Sequence, residues 1–130
     1  HALQEHFGWL SKDAIEWTAR KLELQPINVY ELVTFYPMFR QEPVGKYVLK
    51  VCRTLSCALG GSSNLHGHFC RKLGLDAHRH GIQTTKDGQF SWEEMECLGA
   101  CEQAPALIVN EELKGAATEA SIERLARESK

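Results

Sequence analysis

The sequence has no apolar stretch approaching the ~20 residues of a membrane span. No signal-peptide pattern opens it. It begins at His1 within "HALQEHFGWL", residues that already read as helix, so the N-terminus is expected to be a cut or processed end. There is no excess of either charge: 15 Lys and Arg stand against 17 Asp and Glu, a net charge of −2. That leaves no electrostatic footprint for nucleic acid or for an anionic membrane surface. No G-x-G-x-x-G follows a strand and no P-loop occurs, so a nucleotide site is not expected on this chain. No C-x-x-C occurs either, which argues against a thioredoxin-type dithiol. Repeats and low-complexity tracts are also missing.

What is present is ordinary globular composition, 43% apolar and 25% charged over 130 residues. That length suits one domain with a core, or a small domain plus a helical extension. The distinctive residues are five cysteines: Cys52, Cys57, Cys70, Cys97 and Cys101. An odd count without a secretory signal argues against a disulfide framework and for metal or redox chemistry.

Two regions differ in character. Residues 1–44 read as helical. Ser11 can cap "SKDAIEWTARKLEL", with Ile15, Ala19 and Leu22 on one face. Pro26 suits the first turn of "PINVYELVTFY", where Val29, Leu32, Val33 and Tyr36 recur at helical spacing and Pro37 ends the run. "QEPVG" reads as a linker. From residue 45 the pattern becomes a small α/β layout, with helices packed on a sheet. "KYVLKV" is a strand running into Cys52, and a helix carrying Leu65, Phe69 and Leu73 stops near Gly74. A strand–turn–strand has Asp87 and Gly88 at its turn, "PALIV" is a further strand, and Thr118 caps a closing helix with Ile122, Leu125 and Ala126 inward.

Cys52 and Cys57 form C-x4-C at the end of one strand; Cys97 and Cys101 form C-x3-C at the end of another. Loops leaving a sheet at such ends can converge. Four thiolates in two pairs are what a [2Fe–2S] cluster requires, each pair holding one iron. The intervening Thr54, Leu55, Ser56, Leu98, Gly99 and Ala100 are small or apolar, and their amides can face sulfur. Ala58 to Gly61 are expected to add N–H groups from a helix start beside Cys57. Structural zinc is the rival, since four thiolates also suit tetrahedral Zn, though most often through C-x2-C knuckles. The bland reading is four buried core thiols.

The chain resembles a family of thioredoxin-like [2Fe–2S] proteins, the E subunits of NADH-quinone oxidoreductase (respiratory complex I). The resemblance is carried by "VYELVTFYPMFR", by "EPVGKYVLKVC" with "RTLSC", and by "DGQFSWEEMECLGAC" followed by "APALIVN". These stretches run in the family's order over nearly the whole chain. NAD-linked hydrogenases and formate dehydrogenases contain the same module. The resemblance implies a thioredoxin-like [2Fe–2S] domain over 45–130, preceded by a truncated helical region over 1–44. It carries the cluster ligands onto Cys52, Cys57, Cys97 and Cys101. It also implies a flavoprotein partner that holds FMN and binds NADH, and a place in the peripheral arm of a membrane-bound complex, on the cytoplasmic side or the mitochondrial matrix side. All-thiolate ligation predicts a low potential, on the order of −400 mV. A structural four-cysteine zinc module and a stand-alone ferredoxin are the competing readings.

The remaining candidates read as structural. Cys70 lies mid-helix as a core or helix-face thiol. His66 and His68, two apart and so on different sides of a helix, are expected at the solvated surface, as are His78 and His80. Glu93, Glu94, Glu96 and Glu102 read as a solvated acidic face, Trp92 as packing of the hairpin, and "TFYPMF" as helix core or an interface.

Overall fold

The computed structural model describes residues 1–128 and divides the chain into two compact units, His1–Val44 and Gly45 onward. The first holds α1 (Ala2–Phe7), α2 (Lys12–Lys21) and α3 (Pro26–Phe35). Ser11 caps α2, its hydroxyl accepting from the Ala14 amide at 3.2 Å. Pro26 opens α3 where no amide donor is needed. Tyr36, the residue before Pro37, is already extended (φ −89°, ψ 119°), and the helix stops there. Leu10, Ile15, Ala19, Val29 and Val33 form the buried core of this unit. Leu22, Leu32 and Tyr36, expected inward from their spacing, are instead exposed, as are Ile27, Tyr30 and Phe35. A three-helix unit this small has an inner face for only one stripe of each helix.

The second unit is a five-stranded sheet in the order β2-β3-β1-β4-β5. Its strands are β1 (Tyr47–Cys52), β2 (Gln83–Thr84), β3 (Phe90–Met95), β4 (Leu107–Val109) and β5 (Glu112–Lys114). Between β1 and β3 the chain forms α4 (Leu55–Leu59) and α5 (Ser62–Leu73), and α6 (Glu119–Glu128) follows β5. β1 and β3 are parallel, with Tyr47 opposite Phe90 and Cys52 opposite Met95. Parallel neighbours need a long crossover, and the α4–α5 segment provides it. The other pairs are antiparallel. Leu65 and Phe69 from α5 and Ile122 from α6 pack on Leu49, Val51, Phe90, Trp92, Leu107 and Val109 from the sheet. β5 is not expected from sequence; Glu-Leu-Lys carries no strand signal of its own and pairs only because β4 lies beside it.

The lead-in to β1 is tight. The Gly45 amide donates to the Ser91 hydroxyl at 2.8 Å, and a β-carbon at Gly45 would sit 2.8 Å from the Phe90 carbonyl carbon and 2.9 Å from its nitrogen. Backbone cannot swing aside as a side chain can. Gly45→Ala is therefore expected to destabilise the second unit by about 1–3 kcal/mol, the usual cost of overpacking, read as a lower urea midpoint at unchanged slope.

Candidate functional site

The parallel pairing of β1 and β3 brings the cysteines together. Both strands run the same way, so Cys52 at the end of β1 and the loop beyond Met95 leave the sheet at the same edge. Cys57 returns to that edge inside α4. Cys101 starts a short 3-10 turn over Cys101–Gln103. Cys52 and Cys57 are buried with Ala100 and Ala106, and Leu98 and Ala104 pack around them. Cys97 and Cys101 are exposed.

The sulfurs meet as two pairs. Cys97 Sγ and Cys101 Sγ are 3.6 Å apart, and the Cys52 and Cys57 thiols are within hydrogen-bonding reach of each other. Two thiolates on one tetrahedral metal, at bonds of about 2.3 Å, stand about 3.8 Å apart, so the exposed pair already has the span that one metal ion asks for. Two adjacent pairs of thiols suit two irons, one held by each pair. The donor set therefore fits a [2Fe–2S] cluster.

Hydrogen-bond donors surround these sulfurs. The Thr54 hydroxyl lies 3.1 Å from Cys52 Sγ. The Ala106 amide donates to Cys57 Sγ at 3.4 Å, and the Gly99 amide to Cys97 Sγ at 3.4 Å. The Leu98 amide reaches Cys52, and the Ser56 hydroxyl reaches Cys101. Burial works against ionising Cys52, but the Thr54 hydroxyl and amide, the Cys57 thiol and the Leu98 amide outweigh it and lower its pKa. Burial, with Cys52 beside it, pushes the Cys57 thiol up despite the Ala106 amide. Cys101 is also pushed up, chiefly by its contact with Cys97.

Of the amides expected at the sulfurs, those of Thr54, Leu98 and Gly99 serve there. Those of Ala58, Gly60 and Gly61 do not; they bond the carbonyls of Thr54, Ser56 and Ala58. The reason is that Cys57 sits within α4, a five-residue helix too short to show a period, and not ahead of a helix start. Ala106 is a donor that sequence reasoning misses, because "PALIV" reads only as a strand. Register supplies the reason: the Cys52 amide donates to the Ala106 carbonyl at 3.1 Å, which lays Ala106 along the cysteine loop.

Cys70 is not among these groups. It is buried in the main core, where burial and then the charges of Glu94 and Asp76 push its thiol up. His66, expected at the surface, is buried. The Trp92 indole N–H donates to His66 Nδ1 at 2.8 Å. An indole nitrogen only donates, so Nδ1 carries no proton and Nε2–H donates to the Ala77 carbonyl at 3.1 Å. His66 is thus a core residue hydrogen-bonded through both ring nitrogens, with Glu94 3.7 Å from Nδ1. His68 is half-buried and lies between Glu119 and Glu123 of α6. His78 and His80 are exposed as expected. Among the acidic residues, Glu93 pairs with Lys50 at 3.9 Å and Glu96 with Arg53, while Glu102 is exposed.

The family model for thioredoxin-like [2Fe–2S] ferredoxins matches residues 1–130. The chain is 41% identical over 124 residues to the E subunit of NADH-quinone oxidoreductase from Rickettsia prowazekii (strain Madrid E), covering 95% of this chain and 68% of that protein. It is 41% identical to the protein of the same name from Rickettsia typhi (strain ATCC VR-144 / Wilmington), covering 95% and 71%. A chain of an NAD+-reducing [NiFe]-hydrogenase, solved in the H2-reduced state, superposes with a TM-score of 0.81 at 23% identity, over 98% of this chain. This chain spans about a fifth (21%) of that one, and the likeness is one of fold.

Proposed function

The chain belongs to the thioredoxin-like [2Fe–2S] ferredoxin family, and from that premise we propose that it is the electron-transfer subunit of an NADH-quinone oxidoreductase, holding its cluster on Cys52, Cys57, Cys97 and Cys101. The observation that carries the reading is the meeting of two cysteine pairs at one edge of the sheet, ringed by donors. Cys52 and Cys57 would hold one iron, Cys97 and Cys101 the other. When bound, the cluster supplies a one-electron couple. Every other part belongs to this chain's residues. The Thr54 and Ser56 hydroxyls and the amides of Leu98, Gly99 and Ala106 donate to thiolates, bonds that are stronger than neutral ones. Donors of this kind favour the more negative state and so raise the potential. Ala100, Ala106 and Leu98 keep water from the inner pair. Cys97 and Cys101 face outward, which leaves that side open to a donor or acceptor. The partner in this reading is the flavoprotein that holds FMN and binds NADH. No helix among the described residues is long and apolar enough to cross a membrane.

The test is low-temperature EPR on anaerobically prepared protein before and after dithionite, with iron, sulfide and zinc assayed on the same sample. A silent oxidised sample that gains a spin-half signal, with two irons and two sulfides per chain, is the expected result. One zinc per chain and no signal in either state would sink the reading. Co-purification with an FMN protein tests the partner.

A further inference from the structure

Beyond Met95 the loop that carries Cys97 and Cys101 is anchored from Leu98 onward, by the packing of Leu98 and Ala100 on the buried cysteines, while Glu96 and Cys97 at its start are exposed. The last β1–β3 rung is the Arg53 amide donating to the Met95 carbonyl at 2.9 Å. Over residues 96–100 only Ala100 is buried, at the far end of the stretch. The two strands are tied once more past that rung. Arg53 Nε and Nη2 both donate to Glu96 Oε1, at 3.1 and 2.6 Å. Arg53 directly follows Cys52, and Glu96 directly precedes Cys97. This tie therefore joins the residue just after the first ligand of one pair to the residue just before the first ligand of the other.

We propose that Arg53 and Glu96 are positioning residues, a clasp that holds the exposed Cys97–Cys101 pair in register with the buried Cys52–Cys57 pair. The inference rests on the reading that these four cysteines hold a cluster. The geometry favours positioning over overall stability. The two side chains are 49% and 73% exposed, and exposed ion pairs contribute little to folding. Two guanidinium nitrogens converging on one carboxylate oxygen, however, confine that oxygen to the guanidinium's edge, which a single flexible contact does not. That confinement bears on the loop, because the Leu98 amide, two residues past Glu96, is aimed across at Cys52 of the other pair. Each partner also cancels the other's charge beside the thiolates. Glu96 left alone would add a carboxylate next to Cys97.

The experiment compares four full-length proteins: wild type, Arg53→Gln, Glu96→Gln, and the double swap Arg53→Glu with Glu96→Arg. Three readouts are taken: cluster loss into an iron chelator under anaerobic conditions, the midpoint potential, and amide exchange at Leu98 and Gly99 in the iron-free chain. Each single variant is expected to lose its cluster about tenfold faster, the usual scale for removing an outer-sphere support. Exchange at the two amides should speed up while the thermal midpoint of the iron-free chain stays put. The swap should recover most of the retention. Arg53→Gln should also have a more negative potential than Glu96→Gln, since each leaves a different charge behind. Single variants that match wild type in retention and exchange, or a swap no better than either single, would overturn the clasp while leaving the cluster in place. A wild-type chain that takes up no iron would overturn the cluster reading and the clasp with it.

Discussion

Cys97→Ser is expected to strip the cluster, dropping iron from two per chain toward none, while Cys70→Ala keeps both irons. Cys97 has a partner sulfur 3.6 Å away and a loop built around it. Serine at that position would offer a hydroxyl oxygen in place of the sulfur that iron takes as its ligand. Cys70 is as buried as Cys52 or Cys57 but lies in a different place, in the core between α5 and the sheet. Its loss removes one sulfur from a packed interior, and Cys70→Ala should be felt in urea unfolding and not in the EPR signal. The decisive comparison is iron and spin per chain on the two variants prepared side by side without air. Equal loss of iron from both would mean that the ligand set is misassigned.

Trp92→Ala should be the most damaging change away from the cysteines, costing about 3–5 kcal/mol in the second unit. The indole stacks on Phe69, with ring centroids 4.3 Å apart and planes 19° from parallel, and is 1% exposed. Its truncation empties the middle of the core and also removes the donor to His66 Nδ1. Trp92→Phe separates the two effects. It keeps most of the stack, loses the N–H, and leaves a buried imidazole nitrogen unpaired, for about 1–3 kcal/mol. Urea unfolding of both variants, with His66→Phe in the Trp92→Phe background, gives the size of the pair. If Trp92→Phe proved as stable as wild type, the Trp92–His66 bond would carry no stability.

How much of this is legible in the sequence depends on how local each signal is. The helix of Leu65, Phe69 and Leu73 is readable because its period lies within one turn-to-turn span, and Gly74, at φ 66°, ends it as such a glycine should. The cysteine pairs are readable as pairs because each is local. Their meeting follows from both standing at strand ends, and its physical cause is the parallel register of Cys52 with Met95. His66 is misplaced by sequence because its burial depends on an indole 26 residues away; taken alone, a histidine two positions from another reads as surface. The Arg53–Glu96 tie is hidden for the same reason. Its members are 43 residues apart and adjacent only across the sheet. In the helical region, spacing marks Leu32 and Tyr36 as inward, but spacing fixes a face and not what that face meets.

The parallel pairing also orders events in time. Until β1 and β3 lie side by side, the chain offers two separate dithiols, 45 residues apart from the first cysteine of one to the first of the other, and neither is a complete set. Closing that ladder requires the whole α4–α5 crossover to be in place, the kind of distant pairing that forms slowly. A cluster that binds only the closed form would pull the folding equilibrium toward it. On this reading the cluster would be loaded only once the β1–β3 ladder has closed, and Cys70, buried in the core, would stay out of it.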